Sequence, residues 1–535
     1  MVGCPSWPKG ADCKSAGRMP SEVRILPPPP RGRAVAQLVE RRSPKSAVGG
    51  SSPSGPAREA PPIQAGFCFN ISFKITLPFS RRYNLNQSIR KDKGWELMRN
   101  SYLEVLRTLY YERPHGKVKI GLGLERIKKL MNLLGNPQHS YKVVHITGTN
   151  GKGSTARIIY RYLKELGKNV GAFFSPHLYT FRERIEINGK LISEGDVIRV
   201  FNKVYPAVIE MDKFGPDWRP SFFEVLTAMV FTYFKEQKVE WAVIEVGLGG
   251  RLDATNVVIP EVSIITTVDY DHMNILGKTL EKIAYEKSGI IKEKRPVVTG
   301  ETKYEPLKVI KKISKQRKAP LSIIERDFFF CDTDLSLNEN SFSYRGNANI
   351  KNLKLSLNGR HQIQNAAISI RAIEVLKILN EEVLRKALLN VVHPGRFEIM
   401  EYNGKTVVLD GAHNTAGAAV FVRTLNDYFE GRDIVGVIGI LDDKEREKIV
   451  DKFQHVFSKV YVSRPKSHRA AHYYEVCDMF RLKKVPCEII ENPWEAFQKA
   501  IEDPSEVVAV AGSLYLVGEV RMHLVEGKKV PEWDI

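Results

Sequence analysis

Residues 145–155 read HITGTNGKGST and residues 245–256 read EVGLGGRLDATN. Ahead of the first stretch, Tyr141 to Thr147 alternate and are rich in β-branched types, which predicts a buried strand. Gly148, Gly151 and Gly153 then allow a tight turn that approaches a ligand closely. Main-chain N–H groups of such a turn point inward at phosphate oxygens. Lys152 supplies a positive charge for the terminal phosphates, and Ser154 or Thr155 a hydroxyl for Mg2+. ARIIYRYLKEL follows with helical period, so the phosphates would lie at a helix N-terminus. The spacing departs from the general phosphate-loop pattern, because Gly153 separates Lys152 from the hydroxyl. In the second stretch a strand ends in Glu245, just before Gly247, Gly249 and Gly250. A carboxylate there is placed to hold Mg2+ directly or through water. Glycine-rich turns are common without any ligand. Three glycines, a lysine and two hydroxyls between a strand and a helix point instead to an ATP-using enzyme.

At 535 residues the chain predicts two or three domains, and 43% hydrophobic content is ample for their cores. No run of eighteen apolar residues predicts a membrane span. Six cysteines without a CxxC pair predict a reducing compartment, hence a cytoplasmic protein. The net charge of +20 is uneven: residues 1–97 hold 16 Lys and Arg against 6 Asp and Glu, and the rest holds 65 against 55. The main body is therefore moderately basic, which suits a polyanionic small substrate or nucleotide. No interleaved aromatic and basic motif points to nucleic acid as a partner.

Residues 1–97 carry PPPP at 27–30 and GGSSPSGP at 49–56, and hold no lasting period. They read as a disordered basic tail or as non-native sequence. GADCKSAGRMPSEVRILPPP and AVAQLVERRSPKSAVGGSSPSGPA look like translated transfer-RNA genes, which would make Met98 the true start. FCFNISFKITLPF at 67–79 reads as a strand or short anchor; it comes too late for a signal peptide and lacks a clean cleavage site.

From Met98 strands and helices alternate. Asn169–Phe174, Trp241–Val246 and Ser263–Val268 are short, almost wholly apolar strands, and Phe222–Lys235 is an apolar helix. Such runs fit a mostly parallel sheet covered on both faces. Residues 328–358 read as β-hairpins, and His361–Leu379 as a helix. The pattern restarts at His393-Pro394-Gly395-Arg396, with strands at Val407–Asp410, Ile434–Ile440, Val460–Val462 and Val507–Ala511. The predicted fold class is thus α/β, with a phosphate-loop ATPase domain over 98–393. A smaller open Rossmann-like domain follows over 394–535.

Further candidates lie where strands end. His272 in Asp269-Tyr270-Asp271-His272 is a candidate metal ligand beside two carboxylates. Ser175-Pro176-His177 sits where a ligand loop belongs, and Asp410-Gly411-Ala412-His413-Asn414 is either a ligand loop or an unligated turn. Arg251 and Asp253 contact substrate or pair with each other. Lys287, in TLEKIAYEKSGIIK, reads from the sequence alone as a solvated lysine on an amphipathic helix.

These motifs, taken in order, resemble the folylpolyglutamate synthases, including the bifunctional dihydrofolate synthase enzymes, of the Mur ligase superfamily. The resemblance rests on GLGLERI at 121–127, GTNGKGS at 148–154, SPHL at 175–178, FFE at 222–224 and EVGLGGRLDATN at 245–256. It continues through DHMNILG at 271–277, EKSGI at 286–290, GRHQIQNA at 359–366, PGR at 394–396, DGAHN at 410–414 and GSLYLVG at 512–518. It runs from about Tyr102 to the C-terminus and leaves out residues 1–97. The glycine before Ser154 is this family's own spacing; Thr415 stands where proline is usual.

The resemblance implies a set of roles. Asn150, Gly151, Lys152, Gly153 and Ser154 would bind the phosphates of ATP, with Asn365, Arg396 and Asp410 contacting the nucleotide. Ser154, Ser175, Glu245 and His272 would hold Mg2+, as two ions. Lys287 would be carried as a carbamate, a metal-binding anion, and His413 would face the incoming L-glutamate. Leu122, Gly123, Leu124, Glu125, Ser221, Phe222, Phe223, Glu224, Leu252, Asp253 and Ala254 would border the pterin of a folate or dihydropteroate. The implied reaction is ATP-dependent addition of L-glutamate through an acyl phosphate, with Lys152, Lys287 and His413 as catalytic residues in a monomer. The alternative is another Mur-type ligase that adds an amino acid to a cell-wall precursor. A nucleotide switch would lack DGAHN and GSLYLVG.

Overall fold

The structure, a computed structural model, describes residues 98–113, 123–467 and 469–526. The readings made for residues 1–97 and for Leu122 lie outside the described residues.

The first sheet has eight strands: β1 (Lys142–Thr147), β2 (Val170–Phe173), β3 (Ile185–Ile187), β4 (Lys190–Leu191), β5 (Trp241–Glu245), β6 (Val262–Ile265), β7 (Val297–Thr299) and β8 (Leu321–Ile323). Their order is β4-β3-β2-β5-β1-β6-β7-β8. The six strands from β2 to β8 in that order run parallel, while β3 and β4 join antiparallel at one edge. Side chains alternate across a strand. Val144 and Ile146 of β1 therefore enter a core with the helices Lys152–Glu165, Arg360–Val375 and Glu381–Leu389. Val143, with Ala242 and Ile244 of β5, faces the helices Glu125–Leu133, Glu194–Asp212 and Phe222–Glu236. Both faces are covered, so the central strands are apolar throughout, as a buried parallel sheet requires. Ser221 opens the helix Phe222–Glu236 with a capping box: its hydroxyl accepts from the Glu224 N–H, and Glu224 accepts in return from the Ser221 N–H at 2.8 Å.

Residues 328–358 form the expected antiparallel unit, with strands β9 (Phe329–Asp334), β10 (Asn340–Arg345) and β11 (Asn349–Leu355). Phe342 and Leu353 of this unit close the first core.

The last sheet comprises β12 (Glu398–Tyr402), β13 (Lys405–Leu409), β14 (Ile434–Ile438), β15 (Lys459–Val462), β16 (Cys487–Ile489) and β17 (Val507–Ala511), ordered β12-β13-β17-β14-β15-β16. All pairs are parallel except β12 with β13. Leu178, in the loop after β2, reaches across to this sheet and is buried with Val407, Leu409, Leu516 and Val517. Gly518 is needed there, because a Cβ on it would lie 2.1 Å from the Leu178 carbonyl oxygen.

Two expectations are corrected. The strand expected over Ser263–Val268 is Val262–Ile265, because Thr266 and Thr267 turn their hydroxyls to the carbonyl of Asn150. The free thiols expected of a reducing compartment are not found at Cys477 and Cys487. These form a disulfide between the helix Tyr473–Leu482 and β16, with Cα atoms 5.7 Å apart. Among the described residues no helix is long and apolar enough to cross a membrane.

Candidate active site

The phosphate loop hangs from β1 and is tied to the end of β6. The Thr149 N–H donates to the Thr267 carbonyl at 2.7 Å, and the Thr266 hydroxyl donates to the Asn150 carbonyl at 2.6 Å. Gly151 turns the chain with φ of 86°, and the helix Lys152–Glu165 starts at once. A Cβ on Gly151 would sit 2.4 Å from Asn365 Oδ1, so the glycine lets the loop press against the helix Arg360–Val375. The Lys152 amine folds over the loop and donates to the carbonyls of Gly148 and Thr149 at 3.1 and 3.2 Å. Burial lowers its pKa, with Glu245 and Asp271 pulling the other way.

Lys287 is 3% exposed, not solvated as its helix suggested, and donates to the Gly148 carbonyl at 2.8 Å. Burial, then the nearby Lys152 charge, hold its pKa well below that of an ordinary lysine. The amphipathic segment is real, spanning Leu280–Ser288, but Lys287 lies on its inward side.

Glu245 ends β5, buried, and accepts from the Ser175 N–H at 3.1 Å. Burial pushes its carboxyl up, against the pull of Lys152. The Ser175 hydroxyl is buried and has no hydrogen-bond partner among the described residues. Ser154 lies in the first turn of the helix beside them, its hydroxyl 3.0 Å from His393 Nδ1. A Cβ on Gly153 would lie 3.6 Å from Glu245 Oε2, which shows how closely these groups converge. His272 stands at the far side, left-handed at φ 48°, its pKa lowered to about 4 by burial against the pull of Asp271. Among the described residues, no three His, Cys, Asp or Glu side chains lie close enough to bind a metal by themselves. The oxygens of Ser154, Ser175 and Glu245 form a hard donor set of the kind Mg2+ takes together with phosphate oxygens and water. The orphaned Ser175 hydroxyl fits that use.

The opposite wall comes from the six-stranded sheet. Asp410 accepts from the N–H groups of Phe397 and Ala412 at 2.7 and 2.8 Å. Burial raises its pKa, opposed by Arg396. Gly411 leaves room for the Arg396 guanidinium, which a Cβ would meet at 2.2 Å. His413 Nδ1 lies 2.8 Å from the Gly411 carbonyl, and burial lowers its pKa to about 4. Asp271 faces this wall with one oxygen 3.0 Å from Lys444 Nζ and the other 3.0 Å from Asn414 Nδ2. Burial would raise its pKa, but His272, Lys444 and His413 together outweigh it and keep the carboxylate ionised.

Most of these groups open onto one cavity of about 350 Å³, with His393, Asn414 and Lys444 behind its lining. It is lined by Asn150, Gly151, Lys152, Gly153, Ser154, Ser175, Glu245, His272, Lys287, Asn365, Arg396, Asp410 and His413, and has an apolar end at Phe397, Val420 and Phe421. Among the described residues, those expected to border a pterin do not line it. Phe223 backs Gly247 at its rim. Phe222 stacks on Tyr110, and Leu124 and Ala254 pack in the second core. Glu224 pairs with Arg126. Leu252 is half-buried, and Glu125 is exposed beside Gly123. Arg251 and Asp253 do not pair with each other: Arg251 binds Glu286 at 2.8 Å, and Asp253 accepts from the N–H groups of Leu248 and Thr255. Sequence reasoning missed the parts played by His393 and Lys444. Both lie in loops without a motif of their own.

Residues 222–373 match the Mur ligase middle domain, and residues 395–514 the Mur ligase glutamate ligase domain. The chain is 36% identical over 427 residues to the dihydrofolate synthase/folylpolyglutamate synthase of Bacillus subtilis, covering 77% of this chain and 97% of the relative. The chain belongs to the folylpolyglutamate synthase and dihydrofolate synthase family of Mur ligases. The crystal structure of folylpolyglutamate synthase from Thermotoga maritima matches at a TM-score of 0.73 and 46% identity, over 81% of this chain and 99% of that one. The Mycobacterium tuberculosis folylpolyglutamate synthase complexed with ADP and AMPPCP matches at 0.74 and 32%, over 80% and 99%. Members of this family are ligases, and this chain shares their fold. The cell-wall alternative loses ground, since these relatives are named for folate chemistry.

Proposed function

We propose that this ligase joins L-glutamate to the carboxylate of a folate or a dihydropteroate at the expense of ATP. The observation that carries the reading is the single cavity, which gathers the phosphate loop, both buried lysines, Glu245, Arg396, Asp410 and His413 from two sheets. ATP lies with its phosphates over the loop 148–154 and its base toward Phe397 and Phe421, with Asn365, Arg396 and Asp410 around its ribose and base. The complexes of the mycobacterial relative with ADP and AMPPCP support an adenine nucleotide as the ligand. Ser154, Ser175, Glu245 and His272 would hold two Mg2+ ions, joined by Lys287 as a carbamate. Bound there, the ions neutralise charge on the transferring phosphoryl group.

The substrate carboxylate attacks the γ-phosphorus, giving an acyl phosphate and ADP. Lys152 stabilises the charge that develops on the phosphoryl oxygens. The neutral amine of glutamate, facing His413, then attacks the acyl carbon, and phosphate leaves with the amine's proton as the amide forms. Enclosure between the two sheets keeps water from the acyl phosphate. The pterin lies beyond Gly247, toward Phe223, Leu252 and the segment 123–125. The domain boundary falls between His393 and Pro394, and the enzyme works as a monomer. The deciding experiment is ATP-dependent incorporation of labelled glutamate into dihydropteroate and into tetrahydrofolate, using the full chain and a chain starting at Met98. Incorporation into neither acceptor overturns the proposal.

A further inference from the structure

We infer that Asp271, Asn414 and Lys444 are positioning residues, a clasp that fixes the loops of the six-stranded sheet onto the phosphate loop. The inference rests on the ligase reading and adds residues to it. Asp271 follows β6, Asn414 follows β13, and Lys444 follows β14. They are thus 143 and 173 positions apart along the chain, yet one carboxylate spends its two oxygens on the other two residues, each at 3.0 Å.

The pair of Asp271 and Lys444 is nearly dry, with side chains 13% and 6% exposed. Burying such a pair costs desolvation that its attraction recovers only in good geometry, so it is a poor way to gain stability and a good way to specify an arrangement. Asn414 extends the clasp in two directions. Its Nδ2 also reaches Asn150 Oδ1 in the phosphate loop at 3.2 Å. Its Oδ1 accepts from the Gly417 N–H at 2.7 Å and caps the helix Thr415–Phe429. A shift of that helix, or of the loop carrying Lys444, is therefore felt at Asn150. The clasp also sets two flanking residues, since His272 follows Asp271 and His413 precedes Asn414. His413 Nε2 lies 4.0 Å from Asp271 Oδ2.

With the clasp shut, the acyl phosphate forms where glutamate can reach it. With the clasp loosened, ATP still binds its loop, but the acyl phosphate meets water first. Hydrolysis then returns the substrate carboxylate and phosphate, and ATP is spent without amide.

The test compares Lys444→Met, Lys444→Arg and Asp271→Asn with the unaltered full chain. The readouts are phosphate released per glutamate incorporated, ADP affinity by calorimetry, and radius of gyration by small-angle X-ray scattering. Lys444→Met is expected to lower kcat for amide formation by about 10–100-fold. Phosphate released per amide should rise several-fold, ADP affinity should stay within about threefold, and Lys444→Arg should restore much of the coupling. Unchanged coupling in both Lys444→Met and Asp271→Asn overturns the clasp, as does lost activity with unchanged coupling. Should Lys444→Met fail to fold, Asp271→Asn decides by the same criteria. Should the unaltered chain incorporate no glutamate, the ligase reading fails. The scattering then judges the clasp alone: a larger radius in the variants supports it, and an equal one overturns it.

Discussion

Lys152 and Lys287 donate to one and the same acceptor, the carbonyl of Gly148, at 3.1 and 2.8 Å. Two ammonium groups at one buried oxygen repel each other, and burial favours the neutral amine of Lys287. A neutral amine is the form that takes up carbon dioxide, releasing a proton as the carbamate forms. Activity is therefore expected to fall in buffer stripped of carbon dioxide and to return with bicarbonate. Equal rates in both buffers would show that Lys287 works unmodified.

Replacing Lys152 or Glu245 by alanine removes a charge that faces the transferring phosphoryl group or its cations. Loss of one such stabilising group typically costs about 10²–10³-fold in rate. Each variant is expected to lose at least that much glutamate incorporation while its melting temperature stays close to that of the parent. Full activity in either variant contradicts the assigned site.

Gly151→Ala meets two obstacles together, the left-handed φ of 86° and the Asn365 side chain at 2.4 Å. A strained residue of this kind costs about 1–3 kcal/mol, which, felt at the bound loop, weakens nucleotide binding by about fivefold to 150-fold. Titration calorimetry with ADP measures it directly.

His145 is fully buried in β1, with one ring nitrogen 2.9 Å from the Thr255 hydroxyl. Burial, then Lys292, lower its pKa to about 3. Its unfolded value is about 6.5. Between these two values the unfolded chain binds the extra proton, so the contribution of His145 is fully present above pH 6.5 and is lost as the pH falls toward 3. The melting temperature should drop across that window, and the drop should be shallower in His145→Gln. Identical slopes would remove His145 as the cause.

The central strands were legible because each is buried on both faces and reads as an unbroken apolar run. The short strands β3, β4, β7, β8 and β16 were not, being only two or three residues long, too short for a period to register. The phosphate loop announced itself because its chemistry is local. Lys287 did not: one lysine on an amphipathic helix looks alike whether it turns to water or to the Gly148 carbonyl, and only tertiary packing decides. His393 touches a residue 239 positions earlier, a distance at which no spacing rule speaks. Lys444 sits in the acidic run DDKERE, where the bland reading is a solvated turn. Arg251 and Asp253, two positions apart, turned to separate partners because Glu286 and the N–H groups of the turn lie nearer.

Leu178 leaves the strand-end loop that bears it and plugs a socket between β13 and the helix Leu514–Glu526. A gene split between His393 and Pro394 would pull that plug. The C-terminal fragment, made alone, would show water a greasy hole, and its copies would precipitate together. The two halves are therefore poor material for swapping between enzymes, unless the loop that owns Leu178 travels with the sheet that receives it.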